Sequence, residues 1–256
     1  MTDRARSEIR SSNQVRSYYD SRVPALSQEY AAYRWSASPL KREHYRQTRD
    51  RISAALRGRK FGRVAEVGSG PLIWTSLIRA HASSVIALDL SLEMLKAAAS
   101  ERDQALRCCA DVARLPLSNE MVDAVCTFRA FEYFPDKAAA LREVARVLRP
   151  GGALVLLTKN RNYRGYAARR SGVTRSAEQE AVHSGNCVAE EVVVLCEGAG
   201  FTDITVRPAI VGRTRFIPLW RLGAWLGRFK LAGGRRRLPA WIDGATESFL
   251  VTATRA

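Results

Sequence analysis

The sequence predicts an α/β fold built on a parallel sheet with helices on both faces. Two observations carry this. From about Phe61, short apolar runs alternate with amphipathic stretches, and the stretches are 10–12 residues long. Strands and helices alternating at that spacing form right-handed βαβ units, whose crossover helices cover both faces of a parallel sheet. Composition agrees. A chain of 256 residues, 46% hydrophobic and 26% charged, has capacity for a core and lacks the signature of disorder.

Strands are expected at 63–67, 84–89, 105–109, 122–127 and 153–158, where apolar residues cluster in short runs. Between them lie helices expected at 72–82, 92–102 and 137–148. The last starts after Pro135-Asp136, with Asp136 as N-cap, and stops at Arg149-Pro150-Gly151-Gly152. A helix at 189–199, ended by Gly200, precedes a strand at 203–207, and 248–254 reads as the final strand. Residues 1–60 read as a helical cover, with helical pattern over 8–58, and 209–245 as a basic, aromatic insert. The core then comprises 61–208, completed by its last strand within 246–256.

Charge separates the same regions. Residues 1–60 hold 14 basic and 6 acidic side chains, 61–203 hold 17 of each, and 204–256 hold 10 and 2. The overall +16 therefore sits on the flanks of a neutral centre, which excludes a uniformly basic surface. Arg outnumbers Lys 35 to 6, a bias that base composition alone is able to produce. A solvated face and a surface for an anionic partner are both open readings.

Five cysteines, Cys108, Cys109, Cys126, Cys187 and Cys196, form no C-x-x-C pair and have no histidine at zinc-finger spacing. Neither a disulfide framework nor a metal site is expected. Met1 to Arg16 is polar, and the longest apolar run, 153–157, is too short to span a bilayer. The expected location is cytoplasmic, with peripheral contact at the inner membrane surface as an extension.

The strand at 63–67 runs into Glu66-Val67-Gly68-Ser69-Gly70-Pro71 and then a helix. Glycines at such a turn let a ligand approach the helix start closely. A dinucleotide fingerprint needs glycine at 73, where Ile73 stands, and no Gly-Lys-Ser/Thr follows for a phosphate loop. Glu66 would repel a pyrophosphate and suits a cationic ligand. S-adenosylmethionine has an ammonium, a sulfonium and no phosphate. Asp89 ends the second strand, where a carboxylate can accept both ribose hydroxyls. Asp111 follows the third, where one can accept from the adenine amino group. Each acid alone reads equally as a cap or a loop residue; three in order at successive strand ends point to a ligand.

These segments resemble class I S-adenosylmethionine-dependent methyltransferases, in the type 11 group that includes quinone-biosynthesis C-methyltransferases. The matching stretches are Glu66-Val-Gly-Ser-Gly70, Val85-Ile-Ala-Leu-Asp89-Leu-Ser91, Ala110-Asp111-Val-Ala-Arg-Leu-Pro116, Val122-Asp-Ala-Val125 with Phe131-Glu-Tyr-Phe-Pro-Asp136, and Leu141 through Gly152. The resemblance implies a Rossmann-like seven-stranded, mostly parallel sheet whose last strand inserts antiparallel. It implies that Glu66, Gly68, Ser69 and Gly70 hold the methionine portion, Asp89 and Leu90 the ribose, and Asp111 and Val112 the adenine. Arg129 would lie beside the sulfur, and Tyr19, within an N-terminal Tyr-Tyr-Asp, would close over the cofactor. Where the family has a third glycine, this chain has Leu72.

Methyl transfer needs chiefly orientation, and a base only for a poor nucleophile. Candidates are His183, in the loop before the helix at 189, and Glu132 with Tyr133 after the fourth strand. Each has an ordinary structural role as its alternative. Arg161, Arg164, Arg169, Arg170 and Arg175, together with the tryptophans and arginines of the insert, favour an anionic small-molecule or lipid-linked acceptor, reached at a membrane surface. The rivals are an RNA methyltransferase and a non-catalytic cofactor-binding protein associated with nucleic acid. Thr127-Phe-Arg-Ala130 replaces the Asn-Pro-Pro-Tyr-like motif of base amino methylation, and neither end contains a recognisable RNA-binding module.

Overall fold

The computed structural model describes residues 11–26, 35–98, 105–165, 185–211 and 240–256. Two helices come first, α1 (Ser12–Leu26) and α2 (Pro39–Leu56). Ser11 and Gln14 start α1 reciprocally: the Gln14 amide donates to the Ser11 hydroxyl at 3.2 Å, and the Ser11 amide to Gln14 Oε1 at 3.0 Å. Ser38 caps α2 by accepting from the Lys41 amide, with Pro39 in the first turn, where its missing N–H costs nothing.

The sheet follows as β1 (Phe61–Val67), β2 (Ala82–Asp89), β3 (Leu106–Cys109), β4 (Val122–Phe128), β5 (Leu148–Lys159), β6 (Phe201–Val211) and β7 (Thr246–Arg255). Between strands lie α3 (Thr75–Arg79), α4 (Leu92–Lys96), α5 (Lys137–Val147), α6 (Ala189–Gly198) and α7 (Ala240–Ala245), with a 3-10 turn at Phe131–Tyr133. The order across the sheet is β3-β2-β1-β4-β5-β7-β6. β1 to β5 pair in parallel, and β7 lies antiparallel between β5 and β6. The expected sheet, including its antiparallel last strand, is the one observed.

Side chains alternate between two cores. Ala65, Val67, Val125, Leu154, Leu156 and Val251 face α5 and α6, where Leu141, Val144, Val147 and Val192 meet them. Val64, Ala124, Cys126, Val155 and Leu157 face α2 and α3, against Ile52, Leu56 and Ile78. The i, i+3, i+6 stripe of α5 burial contributes about 1.5–3 kcal/mol per large side chain. Pro208 is accommodated because β6 is an edge strand, and the ladder shifts register beside it.

Several boundaries differ from expectation. The helix expected at 72–82 covers only Thr75–Arg79, because Leu72 takes φ +59°, a left-handed conformation no helix contains. β5 begins at Leu148, earlier than 153, and β6 spans 201–211 instead of 203–207. Residues 209–211, assigned to the insert, are thus strand, and α7 holds the segment's other end. The rest of the insert (212–239), 27–34, 99–104 and 166–184 lie outside the described residues.

Chain order places the site. The connections from β1 move outward through β2 to β3, and β4 then returns to the other side of β1. Adjacent loops diverge at that reversal and open a crevice at the C-terminal ends of β1 and β4.

Buried Asn160 locks the other side of this edge. Its Nδ2 donates to the Asp243 carbonyl at 2.9 Å, to Asp243 Oδ1 at 2.8 Å and to the Thr246 carbonyl at 3.1 Å, while its Oδ1 accepts from the Asn162 amide. Asn160→Ala is expected to lower stability by about 2–3 kcal/mol, read from urea denaturation, because it strands buried acceptors.

Candidate functional site

The C-terminal ends of β1, β2, β3 and β4, with α1 laid across them, form a cleft that is partly open to solvent. Its wall contains Tyr19, Gly68, Ser69, Gly70, Asp89, Leu90, Asp111, Val112, Arg129 and Tyr133, together with Trp35 and Trp74. Most of the residues named from the sequence therefore meet in one place.

The glycine loop is fixed from below. Gly68 and Ser69 both donate backbone N–H to the Leu88 carbonyl, at 2.8 and 3.1 Å. Gly68 has φ +69°, and a Cβ there would lie 2.2 Å from that of Ala130, so only glycine lets the β1 loop pass the β4 loop. Leu72 donates to the Ser69 carbonyl while left-handed, which costs about 1–2 kcal/mol. Burial of its side chain offsets that cost.

Asp89 ties the loop to the next strand. Its Oδ2 accepts from the Gly70 amide at 2.8 Å, and its Oδ1 from the Ser91 amide at 2.9 Å. A carboxylate offers about four acceptor positions, so Asp89 keeps capacity for a further donor. The Ser91 hydroxyl donates to Asp20 Oδ1 at 2.5 Å and accepts from the Met94 amide, joining α1 to the start of α4. Burial, with the nearby Asp20 charge, pushes the Asp89 carboxyl up to about 6, against the backbone donors that lower it. Asp111 Oδ1 accepts from the Ala113 amide at 2.9 Å.

The residues present fit S-adenosylmethionine. Asp89 and Asp111 supply acceptors for hydroxyl and amino groups. The Ser69 hydroxyl, in the pocket wall, is buried with no hydrogen-bond partner among the described residues, a polar atom free to meet a ligand. Aromatic rings close the cleft. Tyr19 meets Tyr18 and Tyr133 edge to face, at 5.2 and 5.6 Å between ring centres, and Trp35 meets Trp74 at 5.2 Å.

Two of the candidate residues lie outside the pocket wall. Glu66 lies beneath the loop, 1% exposed and outside the pocket wall, because its position on β1 points to the α3 face, where Thr75 Oγ1 donates to it at 2.5 Å. Glu132 is fully buried and faces Thr158, Lys159 and Arg129, at 3.1, 3.6 and 4.0 Å, so it meets protein cations where a reacting group was expected. Tyr133 does reach the cleft, and its Oη accepts from Lys159 at 3.3 Å. His183 lies outside the described residues.

The sequence reading missed Trp35 as part of this wall, the Asp20–Ser91 link, and Glu247. Asp20 had a signal, since it completes Tyr18-Tyr19-Asp20. Glu247 had one too: an acid two residues before the apolar run Phe249–Val251 of a strand marks a buried charge pair.

Residues 65–156 match the family model described as a methyltransferase domain. The chain is 33% identical over 138 residues to a malonyl-[acyl-carrier protein] O-methyltransferase of Enterobacter lignolyticus, covering 53% of this chain and 55% of that one. It is 35% identical over 94 residues to a demethylmenaquinone methyltransferase of Mycolicibacterium paratuberculosis, covering 37% and 40%. The chain spans about half the length of the curated relatives it matches. The [4+2]-cyclase SpnF superposes with a TM-score of 0.63 at 20% identity, over 96% of this chain and 97% of that one, which shows a shared fold.

Because the folded carboxyl of Asp89 titrates near 6 and an unfolded one near 3.8, its protonated form favours folding. That stability is complete below pH 3.8 and is lost as the pH rises through 6. Asp89→Asn, which cannot titrate, is expected to gain stability relative to the native chain over this interval, measured by urea denaturation at stepped pH without ligand.

Proposed function

We propose that this chain, which carries a class I S-adenosylmethionine-dependent methyltransferase domain, methylates a small-molecule or lipid-linked acceptor bearing an anionic group. The observation that carries the reading is the convergence of Ser69, Asp89 and Asp111, from three successive strand ends, in one cleft closed by Tyr19.

Bound S-adenosylmethionine supplies a methyl carbon already activated by its sulfonium. The chain's part is to bind, orient and exclude water, and orientation can lower a barrier by roughly 7–11 kcal/mol. In this reading Gly68, Ser69 and Gly70 hold the methionine portion, and Glu66 places a negative charge beneath them. Asp89 uses its remaining acceptor capacity on the ribose, beside Leu90. Asp111 accepts from the adenine amino group while Val112 packs against the ring. Tyr19 and Tyr133 cover the cleft on the side facing α1. Where an acceptor's proton must leave, Tyr133 is the described candidate in the cleft, and it takes that proton as the phenolate, after giving its own proton to solvent beside Lys159. His183 keeps its candidacy from chain position alone.

The acceptor class rests on charge and on the relatives. Arg42, Arg46, Arg49, Arg57 and Lys60 are exposed along α2 and just beyond it, and Trp241 is half exposed on α7. The relatives' names specify a malonyl group on a carrier protein in one case and demethylmenaquinone in another, so a carried or lipid-like acceptor is in keeping. No helix among the described residues is long and apolar enough to cross a membrane, and the membrane contact we propose is peripheral.

Isothermal titration with S-adenosylmethionine is expected to give saturable binding, weakened about 100-fold or more in Asp89→Ala, since hydrogen bonds to a charged group contribute about 1.5–3 kcal/mol each. Absence of binding to the native chain overturns the reading. Mass spectrometry of products formed with labelled cofactor and cell extract then identifies the acceptor. Cosedimentation with anionic vesicles in preference to structured RNA supports the membrane-surface reading; the reverse preference favours an RNA substrate. Binding of the cofactor without any methylated product supports a non-catalytic scaffold.

A further inference from the structure

Charges at the β4 side of the cleft are balanced by carboxylates from elsewhere in the chain. Arg129 Nη1 donates to Glu247 Oε2 at 2.8 Å and to the Ser248 hydroxyl at 2.5 Å, and its Nη2 lies 3.4 Å from Glu247 Oε1. The Ser248 hydroxyl also contacts Glu247. Glu132 Oε1 lies 4.0 Å from Arg129 Nε and 3.6 Å from Lys159 Nζ. Two cations and two carboxylates are therefore gathered at the ends of β4, β5 and β7, each at most 12% exposed. Burial opposes the charge on Glu247, but the Arg129 cation and the hydrogen bonds hold its carboxyl well below the usual range.

The order of strands decides which part of a ligand meets this cluster. Asp111 follows β3, Asp89 ends β2, Gly68 follows β1 and Arg129 follows β4. Adjacent strands lie about 4.8 Å apart, which sets Asp89 and Arg129 on the order of 10 Å from each other. A ligand with its adenine at Asp111 and its ribose at Asp89 extends its remainder towards β1 and β4. In S-adenosylmethionine that remainder carries the sulfonium, the ammonium and a carboxylate; a guanidinium in the facing wall attracts the carboxylate but repels the sulfonium, the one charge that S-adenosylhomocysteine lacks. The wall nevertheless needs Arg129. Its guanidinium lies over the Trp35 ring, 5.9 Å from the centre, and it joins the end of β4 to β7.

We propose that Glu247 neutralises Arg129 so that the site accepts a positively charged sulfur, and that Glu247 thereby sets the preference for S-adenosylmethionine over its neutral-sulfur product, S-adenosylhomocysteine. The inference rests on the cofactor reading above. Glu247 acts through Arg129 and is a positioning residue, distant in sequence from every cofactor motif. The two ligands differ by one methyl group and one positive charge, so the ratio of their affinities reports the field at the sulfur and is insensitive to general loosening of the pocket.

The test is calorimetric titration of both ligands into the native chain, Glu247→Gln, Arg129→Gln and the double variant. Glu247→Gln adds one net positive charge to the wall and is expected to weaken S-adenosylmethionine about tenfold or more relative to S-adenosylhomocysteine. Arg129→Gln makes the opposite change and should shift the ratio the other way. The double variant should return close to the native ratio. Equal weakening of both ligands, or an unchanged ratio in the single variants, overturns the proposal while leaving the cofactor reading intact. A native chain that binds neither ligand overturns both. Where Glu247→Gln fails to fold because it strands a buried cation, the ratios in Arg129→Gln and the double variant carry the test: the first must exceed the native ratio and the second must match it.

Discussion

The carboxylate of Asp89 is the interaction that assembles this site. One oxygen holds the Gly70 amide and the other the Ser91 amide, so a single side chain fixes the β1 loop relative to the start of α4. Ser91 passes the constraint to α1 through Asp20. Three segments distant in sequence thus take their positions from one acceptor at the end of β2. Holding that acceptor in a buried place has a cost, visible as a carboxyl raised to about 6. The site keeps a partly desolvated anion ready for donors that the protein itself does not supply.

The opposite wall solves the converse problem. Arg129 follows β4 with φ +63°, its amide held by the Leu157 carbonyl and its guanidinium directed to β7. An arginine there supports Trp35 and joins two strands, yet would be unwelcome beside a cationic ligand. Glu247 and Glu132 remove that conflict by placing negative charge where solvent is excluded. Buried pairs of this kind add little to net stability, since desolvation offsets attraction. Their value here lies in the field they leave in the cleft.

Much of this was legible in the linear pattern. The alternation of apolar runs with amphipathic stretches gave the sheet, because strand and helix bury different periodicities. Gly68, Asp89 and Asp111 were legible because a tight turn needs glycine and the strand ends need acceptors, whatever lies around them. Other features depended on neighbours. Leu72 sits where a glycine is customary and adopts the left-handed backbone all the same, since the fold buries its side chain. Glu66 looked like a ligand contact, but its place on β1 directs it to Thr75. Glu132 stood in the right loop, and its surroundings turned it to Lys159 and Arg129.

The sequence by itself determined the class of fold, the strand ends around which the cleft opens and the acidic residues placed there. These follow from local periodicity, backbone conformation and spacing along a strand. The tertiary structure alone decided which acids face the cleft and which face protein cations, because a side chain's role depends on what the sheet order brings opposite it. β7 enters the sheet antiparallel beside β5, and that insertion delivers Glu247 to Arg129 across more than a hundred residues. No periodicity within either segment encodes that encounter.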